Sequence, residues 1–153
     1  MVKAELIIRA ENKTRTYGDV NPALTVTYEG FAPGESLSNS GITGEMSLFT
    51  NATSFSNAGT YDIVAALGSL ASTNYNFTFI NGTLTVNKAI LRIKADDKSK
   101  AYGAVNPELT ATVTGFVNGE NFASSGITGA YALSTTAATG SDVGKYPITP
   151  AVG

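Results

Sequence analysis

The sequence predicts a mainly-β chain of two tandem modules with little helix. Three observations predict it: a gapless internal repeat, apolar residues alternating at a spacing of two, and Gly, Asn and Pro clusters between the alternating runs. Laying Ala4-Glu5-Leu6-Ile7-Ile8 over Ala89-Ile90-Leu91-Arg92-Ile93 starts a register with a period of about 85 residues, in which about half the aligned positions are identical. Tyr17-Gly18 falls on Tyr102-Gly103, Val20-Asn21-Pro22 on Val105-Asn106-Pro107, and Gly41-Ile42-Thr43-Gly44 on Gly126-Ile127-Thr128-Gly129. Residues 1–87 make a first, complete module. Residues 88–153 make a second, in which Gly153 aligns with Gly68 and nothing corresponds to 69–86.

The first strand of each copy is marked by Leu6, Ile8 and Ala10 and by Leu91, Ile93 and Ala95, which lie on one face of an extended chain. Leu24, Val26 and Tyr28, matched by Leu109, Ala111 and Val113, mark a second. Only residues 35–39 and 120–124 suit a helical turn. Residues 42–49 form a further candidate strand, and 60–67, rich in β-branched and apolar residues, another. Last in the first copy, Tyr75, Phe77 and Phe79 alternate with polar residues, Asn81-Gly82 suits a type I′ turn, and Leu84 and Val86 alternate beyond it. That pattern predicts a β-hairpin. Its lack in the second copy predicts an unpaired strand edge and uncovered apolar surface, and hence strand pairing between two copies of the chain. Only Asn87-Lys88-Ala89 joins the modules, too short a junction for free relative motion.

Composition narrows the function classes. Apolar residues make up 42% of the chain, enough for packed cores, and only 14% is charged, so Thr, Ser, Asn and Gly supply the polar surface. There is no Cys, which leaves no disulfide and no thiolate metal site. The formal charge of -2 lacks the basic excess that nucleic acid requires. No run of apolar residues is long enough to insert into a membrane, and the first residues do not form a signal peptide, so an export signal and an anchor are expected outside these residues.

Chemistry is sparse. Without His or Cys the usual proton shuttles and nucleophiles are missing, and the only acidic positions that recur are Glu11 with Asp96 and Glu35 with Glu120. They read as loop and turn residues rather than a glycosidase pair, so no catalytic residue, metal ligand or cofactor is assigned. Asp96-Asp97 is the densest acidic pair, but Glu11-Asn12 replaces it in the first copy and no Ca²⁺-loop motif surrounds either. Two features remain as candidate ligand contacts. Arg9, Lys13 and Arg15 recur as Lys94, Lys98 and Lys100, and their spacing predicts one basic strand face opposite Leu6, Ile8 and Ala10. Tyr17 and Tyr102 are either stacking platforms for a sugar or, the reading preferred here, anchors for a loop in which Gly18 and Gly103 take a conformation closed to other residues.

The pattern Lys98-Ser99-Lys100-Ala101-Tyr102-Gly103-Ala104-Val105-Asn106-Pro107, then Gly115-Phe116 and Gly119-Glu120, then Tyr146-Pro147-Ile148, resembles the MBG ("mostly beta grasp") domains of the Tyr-Gly-X type. In the first copy the run from Asn74-Tyr75 to Thr85-Val86 resembles the ending of such modules. The resemblance implies a β-grasp-like fold, tandem arrays with neighbouring repeat modules, and an extracellular place on large bacterial cell-surface proteins. It implies a non-catalytic stalk or spacer that presents adhesive domains. The alternative is an adhesin module that binds host glycan or extracellular matrix protein through the basic strand face.

Overall fold

Alternation at a spacing of two becomes strand in both copies, and no residue of the chain is helical. The computed structural model describes residues 1–153, and its internal contacts divide them into two units, Met1–Lys88 and Ala89–Gly153. The first holds β1 (Ala4–Ala10), β2 (Lys13–Thr16), β3 (Val26–Glu29), β4 (Ser47–Thr50), β5 (Gly59–Ala66), β6 (Tyr75–Ile80) and β7 (Gly82–Asn87). They form two sheets, one ordered β3-β1-β6 and the other β2-β7-β5-β4. Residues 35–39, expected as a helical turn, close instead through single hydrogen-bonded turns.

The predicted hairpin at residues 75–86 does not form. β6 pairs in parallel with β1, and β7 pairs in parallel with β2 and antiparallel with β5, so β6 and β7 never face each other. Neither Asn81 nor Gly82 has a positive φ, as a type I′ turn would require. The alternating pattern was real, but long-range parallel pairing took both halves. Ala4 faces Tyr75 and Thr16 faces Asn87, with the same offset throughout, so 4–16 and 75–87 are a single pair of parallel strands shared between two sheets.

Where this pair passes from one sheet to the other, side chains replace part of the backbone ladder. Asn12 Oδ1 accepts from the Thr83 amide at 2.9 Å, and Asn81 Oδ1 accepts from the Ala65 amide at 3.2 Å. Gly82 is needed for a reason other than turn geometry: a Cβ there would lie 2.7 Å from the Ala10 carbonyl oxygen and 2.9 Å from that of Glu11.

The pair also fills the core. Leu6, Ile8 and Tyr75 are buried together, with Phe31, Ile42 and Phe77 packed around them. Ala10, Ala52, Ile63, Ala65, Leu84 and Val86 form a second buried cluster. Val26, Met46 and Phe79 touch both, which makes the core continuous. Each fully buried aliphatic side chain contributes about 1.5–3 kcal/mol, and Tyr75, Leu84 and Val86 all come from the segment without a counterpart in the second copy.

The second unit holds β8 (Arg92–Ala95) against β9 (Ala111–Thr114) and β10 (Tyr131–Thr135) against β11 (Ile148–Val152), both antiparallel. The registers repeat those of the first unit: Arg92 faces Thr114 as Ile7 faces Glu29, and Ala132 faces Ala151 as Ser47 faces Ala66. Packing does not repeat. Leu91, Ile93, Ala95 and Ile148 are only half-buried, where Leu6, Ile8, Ala10 and Ile63 are buried.

Candidate functional site

The basic row does not form one exposed face. Arg9 projects from β1 into solvent, Lys13 is half-buried with its Nζ 3.9 Å from Glu11 Oε2, and Arg15 is only 6% exposed. The junction between β1 and β2 is the cause, because it inverts the alternation: even positions point inward before it, at Leu6, Ile8 and Ala10, and Arg15 points inward after it. Arg15 Nε donates to Asn21 Oδ1 at 2.8 Å, Nη1 to the Thr16 carbonyl at 3.3 Å, and Nη2 to the Thr53 carbonyl. Asn21 Nδ2 in turn donates to the Ala52 carbonyl at 2.7 Å. Arg15 and Asn21 thus fasten the loop after Tyr17-Gly18 to the loop after β4.

The second unit keeps this brace in lighter form. Lys94 and Lys98 are exposed, while Lys100 Nζ donates to the Ala104 carbonyl at 2.9 Å and the Ala138 carbonyl at 3.0 Å. Asn106 Nδ2 reaches the Ala137 carbonyl at 2.8 Å, the counterpart of the Asn21 bond. From sequence, Asn21-Pro22 and Asn106-Pro107 read only as shaping the turn after Tyr-Gly; that their side chains fasten this loop to a second one was missed, although their recurrence in register with Arg15 and Lys100 was the signal that pointed to it.

Tyr17 packs half-buried against the cluster of Leu84 and Val86, its amide donates to the Asn87 carbonyl at 2.7 Å, and Gly18 follows at φ 91°. That is the geometry of a loop anchor. Gly103 has φ 82°, yet the Tyr102 side chain is 68% exposed.

Among the recurring carboxylates, Glu11, Asp96 and Glu35 each tie separate segments of the chain together. Glu11 accepts from the Thr25 hydroxyl; Asp96 accepts from Thr110 and Thr112, each at 2.7 Å. The Thr110 and Thr112 hydrogen bonds, with Lys98 and Lys94 nearby, hold the Asp96 carboxyl below its ordinary value. Glu35 accepts from the Tyr75 hydroxyl, which itself accepts from the Ala32 amide at 2.9 Å. The Ala32 bond draws the phenol pKa down, but the bond to Glu35, burial and the Glu35 charge outweigh it, and the phenol is raised. Nowhere do three acidic side chains converge as a metal site would require.

One concavity stands out in the second unit. A groove of about 650 Å³ runs between 97–102 and 141–148, with Ala95, Leu109, Ala137 and Ile148 among its walls. Their counterparts in the first unit, Ala10, Leu24, Ala52 and Ile63, surround Leu84 and Val86. The rims, 98–101 and 144–147, belong to no strand, whereas 13–16 and 59–62 are paired on either side of β7.

Comparison with known families supplies one match. The model described as MBG domain (YGX type) fits residues 6–85 and, a second time, residues 91–153. No match emerged from the curated proteins or from the solved structures.

Proposed function

The chain belongs to the MBG domain family, YGX type, and from that premise we propose that each copy is a non-catalytic stalk module, spacing adhesive domains away from a bacterial cell surface. The family is one of repeat modules of surface proteins. The observation that carries the reading is the parallel pair of the first unit. Its chain enters at Ala4, beside Tyr75, and leaves at Asn87, beside Thr16, so the two ends lie at opposite ends of the pair. At about 3.3 Å per residue the pair is about 40 Å long. Tension between these ends slides one strand along the other and loads all the ladder bonds at once. Such bonds are each worth only about 0.5–1.5 kcal/mol net, so loading them together rather than in turn decides mechanical strength.

Single-molecule pulling tests this. Handles at Lys3 and Lys88 load the pair in shear, whereas handles at Glu45 and Leu67, at one end of the β4/β5 ladder, unzip it pair by pair. The expected result is a clearly higher unfolding force between Lys3 and Lys88. Equal or lower force there sinks the stalk reading. Contact with host glycan or matrix protein through the basic row draws less support, since Arg15 is an internal brace and Lys13 lies beside Glu11.

A further inference from the structure

The chain has two Asn-Gly pairs, Asn81-Gly82 and Asn118-Gly119, and the structure holds them in opposite ways. Asn81-Gly82 sits where the parallel pair of the first unit changes sheets. Gly82 is buried and faces Ile63 across the ladder, and Asn81 Oδ1 accepts from the Ala65 amide at 3.2 Å. A Cβ on Gly82 would lie 2.7 Å from the Ala10 carbonyl oxygen, so the peptide unit between Asn81 and Gly82 has no room to turn.

Asn118-Gly119 forms the tip of a turn. The Glu120 amide donates to the Val117 carbonyl at 3.0 Å, and the two residues between have φ of 56° and 70°, the signs of a type I′ turn. Asn118 is the only residue other than glycine with a positive φ. Gly119 is exposed, and a Cβ built on it meets nothing within 4 Å. The equivalent turn of the first unit, closed from Glu35 to Ala32 at 2.9 Å, is exposed at its tip too, so this openness belongs to the turn and not to what surrounds it. Its tip is Pro33-Gly34, which has no side-chain amide to react.

We propose that Asn118-Gly119 is a site of spontaneous deamidation in the folded chain, while Asn81-Gly82 is protected from the same reaction by its place between the sheets. The Gly119 amide nitrogen gives up its proton and attacks Asn118 Cγ. A C–N bond forms and closes a succinimide ring, the Cγ–Nδ2 bond breaks, and Nδ2 leaves as ammonia with a proton. Water then adds to one of the two ring carbonyls and opens the ring to aspartate or isoaspartate. Glycine permits the attack because no Cβ crowds the nitrogen, and the peptide unit must rotate for it to reach Cγ. Rotation is open at 118–119 and opposed at 81–82 by the ladder and the Ala10 carbonyl. The product adds one negative charge beside Glu120, and isoaspartate also lengthens the backbone of the turn. Ageing of this kind therefore falls on the second copy, and the first copy is inert at the equivalent position.

The test incubates the whole 153-residue chain in warm, mildly alkaline buffer, with a parallel sample unfolded in guanidinium chloride. Fragmentation mass spectrometry and enzymatic methylation of isoaspartate follow both sites. In the unfolded sample both sites are expected to convert at similar rates, since each has the same two residues. In the folded sample Asn118 is expected to convert, and Asn81 more slowly by about tenfold or more, because ladder bonds must open first. Three results overturn the proposal: folded-state conversion of Asn81 at a rate equal to or above that of Asn118, conversion of Asn118 only after unfolding, or conversion at Asn121 in its place. An Asn118→Gln chain that still gains isoaspartate in residues 115–125 at the parent's rate overturns it as well.

Discussion

Leu84 and Val86 lie between β2 and β5 of the first unit with 0% and 2% of their surface exposed, while the same place in the second unit is open. Around that difference the two units are alike in strand register, in the bond from Asn21 or Asn106 to the loop after β4 or β10, and in the hydroxyl partners of Glu11 and Asp96. What separates them is a layer of packing, not a set of turns. Local hydrogen bonds and antiparallel pairs therefore form with or without the last strand, but a buried core requires the parallel one. Tyr17 and Tyr102 show this in one residue type, a half-buried anchor in one unit and an exposed ring in the other.

Six substitutions break or sharpen this contrast. The largest effect is expected for Leu84→Ala, which leaves a cavity in the first core and costs about 2–5 kcal/mol; urea unfolding should show the first unit's transition fall while the second's stays in place. Gly82→Ala should cost about 1–3 kcal/mol, because the new methyl group collides with the Ala10 and Glu11 carbonyls. If that variant unfolds like the parent, the close passage at the sheet junction is wrong. Arg15→Met should cost about 1–3 kcal/mol, because Asn21 and the Thr16 and Thr53 carbonyls lose a donor at a part-buried site. Lys100→Met should cost less, since water reaches the carbonyls it serves, and equal losses would contradict the difference in burial.

The smallest effects concern pH. Asp96 is held below its ordinary value of 3.8, so its contribution to the second unit is present above that value and is lost as pH falls through the lower folded value. Asp96→Asn should flatten the acid limb of the second unit's stability alone. Tyr75 is raised above 10.0, so its contribution to the first unit is complete below that pH and is lost as pH climbs through the raised folded value. Tyr75→Phe should remove that alkaline limb, as read by circular dichroism against pH.

Much of this was legible in the residues. Period-two alternation located β1, β3 and their second-copy counterparts within a few residues, β-branched and apolar content located β5, and the Tyr-Gly and Asn-Pro recurrences marked the loops that fasten each unit. The basic row misled because spacing assigns a face only while a strand is unbroken, and Glu11 and Asn12 break it. The hairpin at 75–86 misled for a related reason. Asn-Gly between alternating runs is a local signal, and it was overridden by partners far away in sequence.

Sequence by itself determined that there are two copies, that each is built of strands, and where the copies differ, because alternation, turn residues and repeats are properties of neighbours along a chain. Only the tertiary structure decided which strands pair. A parallel ladder joins segments about 70 residues apart, and nothing in either segment alone says that Ala4 meets Tyr75 or that Thr16 meets Asn87.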